Sequence, residues 1–449
     1  MIHTVRVLLT PAWDGESVSS LGVRIDTDIP AVKDAPLFRI HRQSIDKPFL
    51  ALEEPFVLTD GAGTLGGGWK EESKPPYLDR VFTPYRDGGT GFSLAYRVKP
   101  VPAGGNPVLD LGAEPGGMTG SGMTFLPEFL SDEPVDFTVR WDLSALPEGA
   151  SGAWTFGERW HGGGRTLTES FYACGLLDGV RAGNFRYFWL RNDALLDTSV
   201  TAAKLFRMEA DFFGDGGEPY AIFARRVPFP VKPGGVAQER SYLYLYNSSE
   251  QLDSGLLFLF AHEMVHNWII LPDEPYGTTT WYVEGMAEFY STVLPWRAGL
   301  VSADALCREL NSRAKDYWEN PAIRTPNLVL GENFLADLEM TKVPYGRGFF
   351  YLTSADAAIR RATDGERSLD DVMRAMKDLL PETDGNEAWI AEYGKYVGTD
   401  TARREYERLR DGGIMTPQTD CFPGISVRKK EGRVRGTEEP CELWEFTAL

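Results

Sequence analysis

The spacing of apolar and polar positions changes character along the chain. Up to about residue 160, short apolar stretches such as Thr4–Leu9, Gly22–Ile25, Phe92–Val98 and Val135–Trp141 alternate with clusters of Gly, Pro and Asp. That punctuation predicts the strands and turns of a β-sandwich. Between about 165 and 250 the pattern is mixed, with a strong strand candidate at Tyr242–Tyr246. Helical spacing then takes over. Asp253 or Ser254 can cap a helix that carries Leu256, Leu257, Leu259 and Phe260 and runs into His262 and His266. A second helix is predicted from near Thr279 to Leu294, stopping before Pro295. Further helices are predicted over 303–318, 346–362, 369–380, 387–396 and 401–411. Ser368 and Asp371 have capping-box spacing at the third of these, and Gly412-Gly413 closes the last.

At 449 residues the chain exceeds one compact core, so two or three domains are expected. The predicted division is a β-rich domain over 1–160, a mixed domain over 161–297, a helical domain over 298–414 and an irregular tail over 415–449. Net charge is −19, from 46 basic and 65 acidic residues. Nucleic acid is therefore not an expected partner, because phosphate binding calls for a basic surface. The longest apolar run, Leu256–Ala261, is too short to span a bilayer. No signal-peptide pattern follows Met1, so the expected location is cytoplasmic by default, or extracytoplasmic if a leader was removed. Cys421 and Cys441 suit a bridge and two free thiols equally well, and a bridge would imply an oxidising compartment. The oligomeric state is not legible in the sequence.

The candidate chemistry is concentrated in His262-Glu263-Met264-Val265-His266. Residues four apart share one helix face, so both imidazoles can reach a single ion. Zn²⁺ favours such ligands in a tetrahedron with one position open to water. Glu263, one residue beyond the first histidine, stands where a base can take a proton from that water. Two of the five histidines in the chain fall in this motif, on a segment apolar enough for a core helix. A third ligand is expected at Glu284, with 17 residues between it and His266. It lies on a helical stripe with aromatic neighbours, where a partly buried carboxylate needs a cation. Glu288, one turn on, is placed to accept a hydrogen bond from a ligand histidine. One Zn²⁺ per chain is expected.

These motifs, H-E-x-x-H-x-W and then W-x-x-E-G-x-A-E, resemble those of the gluzincin peptidases, the group containing thermolysin and aminopeptidase N. His262, Glu263, His266, Trp268, Trp281, Glu284 and Gly285 carry the match. Tyr345-Gly346-Arg347-Gly348 is similar to the Tyr-x-Lys-Gly stretch of those aminopeptidases. The resemblance implies that Tyr345 steadies the tetrahedral intermediate. Ala358–Thr363, Ser368–Asp371 and Tyr396–Thr399 look like the glycyl aminopeptidase family, family sixty-one of the metallopeptidases. The likeness carries good motifs over about 230–414 and only general character over 1–160. It implies an α+β multidomain fold: an N-terminal β-sandwich, a thermolysin-like zinc catalytic domain and a C-terminal helical domain. The expected substrate is a peptide with a small N-terminal residue.

One stretch departs from the family pattern. Aminopeptidases of this kind place a glutamate on a Gly-rich strand ahead of the zinc helix, where it grips the substrate's free amine. Here Gly234 and Gly235 are present, but Glu239 falls two residues late. Either Glu239 or its neighbour Gln238 is then the expected amine contact, and an endopeptidase or tripeptidase is the alternative activity. A peptide-binding protein that retains the fold without catalysis is the alternative of another class. His161-Gly162-Gly163-Gly164 resembles an esterase oxyanion loop, but G-x-S-x-G is absent from the chain, so a flexible loop is expected there.

Overall fold

The computed structural model describes residues 2–44, 47–49, 52–74, 77–101, 108–131, 133–191, 194–228, 234–247, 254–273, 275–334, 336–377, 379 and 383–449. The chain divides into two compact units, residues 1–204 with 216–252, and residues 205–215 with 253–449.

In the first unit the alternation read from the sequence becomes two facing sheets. Along His3–Trp13 the residues Val5, Val7 and Leu9 are buried while Arg6, Leu8 and Thr10 face outward. This strand is the third in a seven-stranded sheet, parallel to Val135–Trp141 on one side and antiparallel to Val18–Thr27 on the other. A second sheet is built on Phe38–Ser44, Gly67–Lys74 and Tyr77–Pro84. One apolar core joins Val5, Val7, Ile25 and Leu94 of the first sheet to Phe38, Ile40 and Phe82 of the second, as a sandwich requires. His161 and Gly162 are not loop residues. They end the strand Arg159–Gly162, which pairs with Val135–Trp141 at the sheet edge, and His161 Nδ1 lies 2.7 Å from Asp136.

A further five-stranded sheet runs in the order 177–182, 185–190, 220–226, 241–246, 234–238. Its three inner strands are parallel and its edges antiparallel. All six residues of Ser241–Tyr246 are buried, so its alternating tyrosines and leucines fill opposite faces. Helix α1 (Leu196–Phe213) connects the parallel strands Phe185–Leu190 and Tyr220–Arg226. The mixed pattern hid it, because polar Ser199 and Glu209 stand at buried positions beside Ala202, Leu205 and Phe206.

The second unit holds helices α2 (Ser254–Val265), α3 (Thr280–Arg297), α4 (Ala303–Trp318), α5 (Asn327–Asn333), α6 (Leu338–Ala362), α7 (Leu369–Lys377), α8 (Gly385–Val397) and α9 (Thr399–Arg410). Of the two candidate caps for α2, Asp253 lies outside the described residues, and the helix ends one residue before His266. Pro295, expected to bound a helix, lies inside one, and the helix expected over 346–362 starts earlier and takes in Pro344. Pro295 sits in the last turn of α3, and Pro344 lies seven residues into α6, whose N-terminus is capped by the Asp337 carboxylate. Each forgoes one backbone hydrogen bond, which the burial of these helices outweighs. The Asp371 carboxylate accepts the Ser368 N–H at 3.0 Å, the expected capping contact. The irregular tail expected over 415–449 instead contains a hairpin of Ile425–Arg433 with Pro440–Ala448. Ile425, Leu443 and Phe446 of the hairpin are buried, the Phe446 backbone is bonded to the Asn311 side chain of α4, and exposed pairs such as Arg428–Glu445 and Lys429–Glu442 link the strands. Cys421 and Cys441 are both free. Among the described residues no helix is long and apolar enough to cross a membrane.

A buried ion cluster joins neighbouring strands of the second sheet at His41. Its Nδ1 lies 2.7 Å from Asp79 and its Nε2 3.5 Å from Glu128. Burial alone would lower the pKa of the ring, but hydrogen bonds to the two carboxylates outweigh it and raise the pKa above its ordinary value. The stabilisation is therefore complete below the unfolded histidine's pKa and lost as pH rises through the folded one. His41→Gln should cost about 1–3 kcal/mol at pH 6 and distinctly less at pH 9. Thermal melts of both proteins at the two pH values check this, and an equal cost at both would contradict a charged His41.

Candidate metal centre

Helix geometry aims the first two candidate ligands. His262 is in the last turn of α2 and His266 opens the turn that follows, with their Nε2 atoms 3.2 Å apart. Glu284, in the second turn of α3, brings Oε2 to 3.3 Å from His262 Nε2 and 3.6 Å from His266 Nε2. Among the described residues these three form the one group of His, Cys, Asp or Glu whose ligand atoms lie within 4.8 Å of one another.

Their electrostatics suit a cation at that point. Burial lowers the pKa of His266 to about 4, so its imidazole is neutral and keeps a lone pair. Burial would raise that of Glu284, but His266 and His262, together with a hydrogen bond from Tyr345, hold it below the usual carboxylate range. Glu284 Oε2 is nevertheless buried with no hydrogen-bond partner. A carboxylate oxygen facing two imidazole nitrogens is the donor set of a divalent metal, and a two-histidine, one-glutamate site keeps a position open for water. The residues present therefore fit zinc.

Glu263 follows the first candidate ligand. Burial, with a smaller contribution from Glu284, pushes its pKa up to about 7. Tyr345 donates its hydroxyl to Glu284, and its ring stacks on His262 with centroids 5.9 Å apart. Glu288 Oε1 lies 3.2 Å from His262 Nδ1, on the side away from the ligand nitrogen. The structure thus brings His262, Glu263, His266, Glu284, Glu288 and Tyr345 together in one unit.

The tryptophans of the motifs are fasteners. Trp268 stacks on Phe213 at 5.0 Å and donates to Asp215, while Trp281 donates to Asn386 and packs edge-on against Trp389. Arg347, fully buried, ties α6 to Asn327 and the Ile323 carbonyl.

Glu239, Gly234 and Gly235 belong to the other unit. Glu239 is in the two-residue turn joining Gly234–Gln238 to Ser241–Tyr246, where Arg240 has φ +51°. Burial and the nearby charge of Glu169 raise its pKa to about 7. A side chain at Gly235 would collide with the Leu243 carbonyl, so this glycine permits strand pairing. Gln238 is committed: its amide bonds Ser121 Oγ at 2.8 Å and faces the Thr168 carbonyl at 3.5 Å.

Two residues near the site were not evident in the sequence. Arg313 of α4 pairs with Glu288 and, at 3.2 Å, with Glu309. Its only sequence signal was the Glu309–Arg313 spacing of one turn. Glu209 of α1 is fully buried, its carboxyl has no hydrogen-bond partner among the described atoms, and burial raises its pKa well above the usual value.

The fold and this constellation resemble those of the gluzincin peptidases. Residues 255–329 match the family described as M61 glycyl aminopeptidase. Solved structures of low sequence identity share the fold. An aminopeptidase N family protein from Idiomarina loihiensis is 13% identical, with a TM-score of 0.68 over 95% of this chain and 79% of that one. The M1 zinc metallopeptidase from Deinococcus radiodurans is 17% identical, with a TM-score of 0.56 over 93% and 95%. Leukotriene A4 hydrolase from Saccharomyces cerevisiae is 12% identical, with a TM-score of 0.56 over 92% and 68%. No curated protein matches the sequence.

Tyr345 reaches Glu284 because α3 and α6 cross at bare backbone. A Cβ on Gly285 would stand 2.6 Å from Gly348 Cα, and one on Gly348 would stand 2.1 Å from the Trp281 carbonyl oxygen. Gly348→Ala must push the helices apart. It should cost about 1–3 kcal/mol of stability and at least about tenfold in turnover, since small misplacements at a reacting centre are expensive. Denaturant unfolding and steady-state rates check both, and a variant of wild-type activity would show that the crossing does not position Tyr345.

Proposed function

We propose that the protein is a zinc-dependent peptidase, and more narrowly an aminopeptidase that removes small N-terminal residues. The observation that carries the reading is the convergence of His262, His266 and Glu284 within 4.8 Å, with a buried Glu284 oxygen lacking a partner. In this reading residues 161–297 form the thermolysin-like catalytic domain and 298–414 the helical domain. The three ligands hold one zinc per chain, which when bound lowers the pKa of a water and polarises a carbonyl oxygen.

The other steps fall to side chains. Glu263, with a pKa near 7, takes the proton of the attacking water and returns it to the leaving amine. A group poised near the working pH does both efficiently. Tyr345 turns its hydroxyl from Glu284 to the developing oxyanion, a contribution of about 100- to 1,000-fold. Glu288 orients His262 through Nδ1. The purified protein is expected to hold one zinc by elemental analysis. Glu263→Gln should keep that zinc but lose about 100- to 10,000-fold in peptide hydrolysis. No zinc after incubation at neutral pH would overturn the metal assignment, and a Gln variant of near wild-type rate would overturn the base.

Exopeptidase action rests on Glu239 as the anchor for the substrate's ammonium group. Gln238 is a poorer candidate because its amide is bonded to Ser121. A charge-assisted contact contributes about 1.5–3 kcal/mol, so Glu239→Ala should lower turnover of alanyl peptides roughly ten- to a hundredfold. N-acetyl-alanyl peptides should be poor substrates of both proteins. Equal cleavage of free and blocked peptides would favour the endopeptidase reading instead. A free-amine preference unchanged in the variant would move the anchor elsewhere.

A further inference from the structure

Glu288 is asked to do something that a buried glutamate does not do alone. Its Oε1 faces His262 Nδ1 at 3.2 Å, and its side chain is only 14% exposed. If His262 offers Nε2 to a metal, its proton sits on Nδ1 and needs a good acceptor. An ionised carboxylate is that acceptor, but an ionised carboxylate out of water needs a positive neighbour.

That neighbour is Arg313. Its guanidinium pairs with Glu288 through Nη1 and with Glu309, one turn earlier on α4, through Nη2 at 3.2 Å. The side chain is 11% exposed and lies over the Phe349 ring, 5.4 Å from its centroid. Burial lowers the pKa of Arg313 to about 9, so at neutral pH it is still a cation. Arg313 and Glu288 share the wall of a cavity of about 230 Å³ with Tyr345 and Phe349. The guanidinium thus stands between two carboxylates and behind the one that faces the histidine. An arginine meets this demand better than a lysine, because its planar fork fixes two acceptors at once.

We propose that Arg313 is a positioning residue of the metal centre: by pairing with the far oxygen of Glu288 it keeps that group an oriented acceptor for His262 Nδ1 and so strengthens metal retention. The chain of contacts runs from Arg313 on α4 through Glu288 on α3 to His262 on α2, one member on each of three helices. Without the guanidinium, Glu288 and Glu309 lose their shared counter-charge, and Glu288 is driven from the histidine toward water. The inference rests on the metal reading above, and its test uses a readout that peptide hydrolysis does not enter.

Zinc release from the loaded protein is followed by absorbance with an excess of a chromophoric chelator, with circular dichroism to confirm the fold. Arg313→Met keeps the bulk of the side chain and removes its charge. It should speed zinc loss about 10- to 100-fold, the usual cost of losing an outer partner of a metal ligand. Arg313→Lys should restore most of that loss, because a positive charge again faces Glu288. Glu288→Gln should lose zinc about as fast as Arg313→Met, and the double variant no faster than Glu288→Gln alone, because the two act in series. A folded Arg313→Met protein that keeps zinc as the wild type does would overturn the proposal, as would effects that multiply in the double variant. If Arg313→Met does not fold, the same comparison is made with Arg313→Gln in the wild-type and Glu288→Gln backgrounds. A glutamine variant that leaves zinc loss unchanged, or speeds it equally in both backgrounds, would then overturn it. Wild-type protein that takes up no zinc would defeat the metal reading itself. Zinc-binding wild type with an indifferent Arg313 would defeat only the role assigned to Arg313.

Discussion

Close approach of α3 and α6 governs the geometry of the centre. Gly285 follows Glu284 on one helix, and Gly348 stands one turn beyond Tyr345 on the other. The backbones meet so tightly that a Cβ on either would collide with main-chain atoms. Such contact fixes the separation of the two helices more firmly than interlocking side chains, which can yield by changing rotamer. The Tyr345 hydroxyl thereby reaches Glu284, and its ring lies parallel to that of His262. Gly346 applies the same device to a third helix, facing Tyr317 of α4. Arg347, between these glycines, bonds outward to Asn327 and Ile323, which sets the rotation of α6 about its axis. Four consecutive residues therefore decide how far, and at what angle, the tyrosine projects.

Charge is the second constraint. Glu263, Glu284 and Glu288 lie close together in a largely buried setting, and Glu209 is buried nearby on α1 with a pKa influenced by His262. Like charges at such density cannot all persist without cations. Each carboxyl finds a different resolution. Glu284 is ionised between two imidazoles, Glu288 is paired with Arg313, Glu263 rises to about 7, and Glu209 is pushed towards the neutral acid by burial. On the proposed reading a metal at the three ligands adds the missing positive charge. The unpartnered Glu284 oxygen is then a consequence of design for a cation, where in an ordinary core it would be a defect.

The parts of this arrangement that could be read from the sequence are those set by local spacing. A spacing of four positions from His262 to His266 places both rings on one helix face, and an apolar stripe around Glu284 announces the second helix. Helix α4 coincides with its predicted span of 303–318 because Ser302 caps it and Leu306, Leu310, Ala314 and Tyr317 keep a clean period. What escaped depends on long-range partners. Glu209 sits at a core position of α1 and breaks the apolar pattern that would have revealed that helix. Arg313 reads as a surface residue until Glu288, twenty-five positions earlier, is seen against it. The hairpin of 425–433 with 440–448 carries charges on both strands around a few buried residues, Ile425, Leu443 and Phe446, too sparse to show apolar alternation in the sequence. Pro295 was given the weight of a helix breaker, and the helix that contains Pro344 was expected to start only at 346. Their tertiary surroundings override that local preference, as burial of Val343, Pro344 and Pro295 shows.

Glu239 brings out how burial and binding trade against each other. Its pKa of about 7 means that near neutrality much of it is the neutral acid, held so by burial and by the charge of Glu169. A substrate ammonium brought against it reverses the balance, since a neighbouring cation favours the ionised carboxylate. On the proposed reading, amine binding therefore draws a proton from Glu239 and spends part of its free energy doing so. That cost falls as pH rises through 7, because more of the glutamate is already ionised. The gain is capped from above, because a peptide's amino group begins to lose its own proton at about 7.7–8.0. Tight recognition is confined to the window in which the carboxylate has lost its proton and the amine has kept its own. A raised carboxylate pKa, which weakens the contact in absolute terms, thus makes it selective for a group that is charged at the pH of catalysis, and Glu263 with its own value near 7 titrates in the same window.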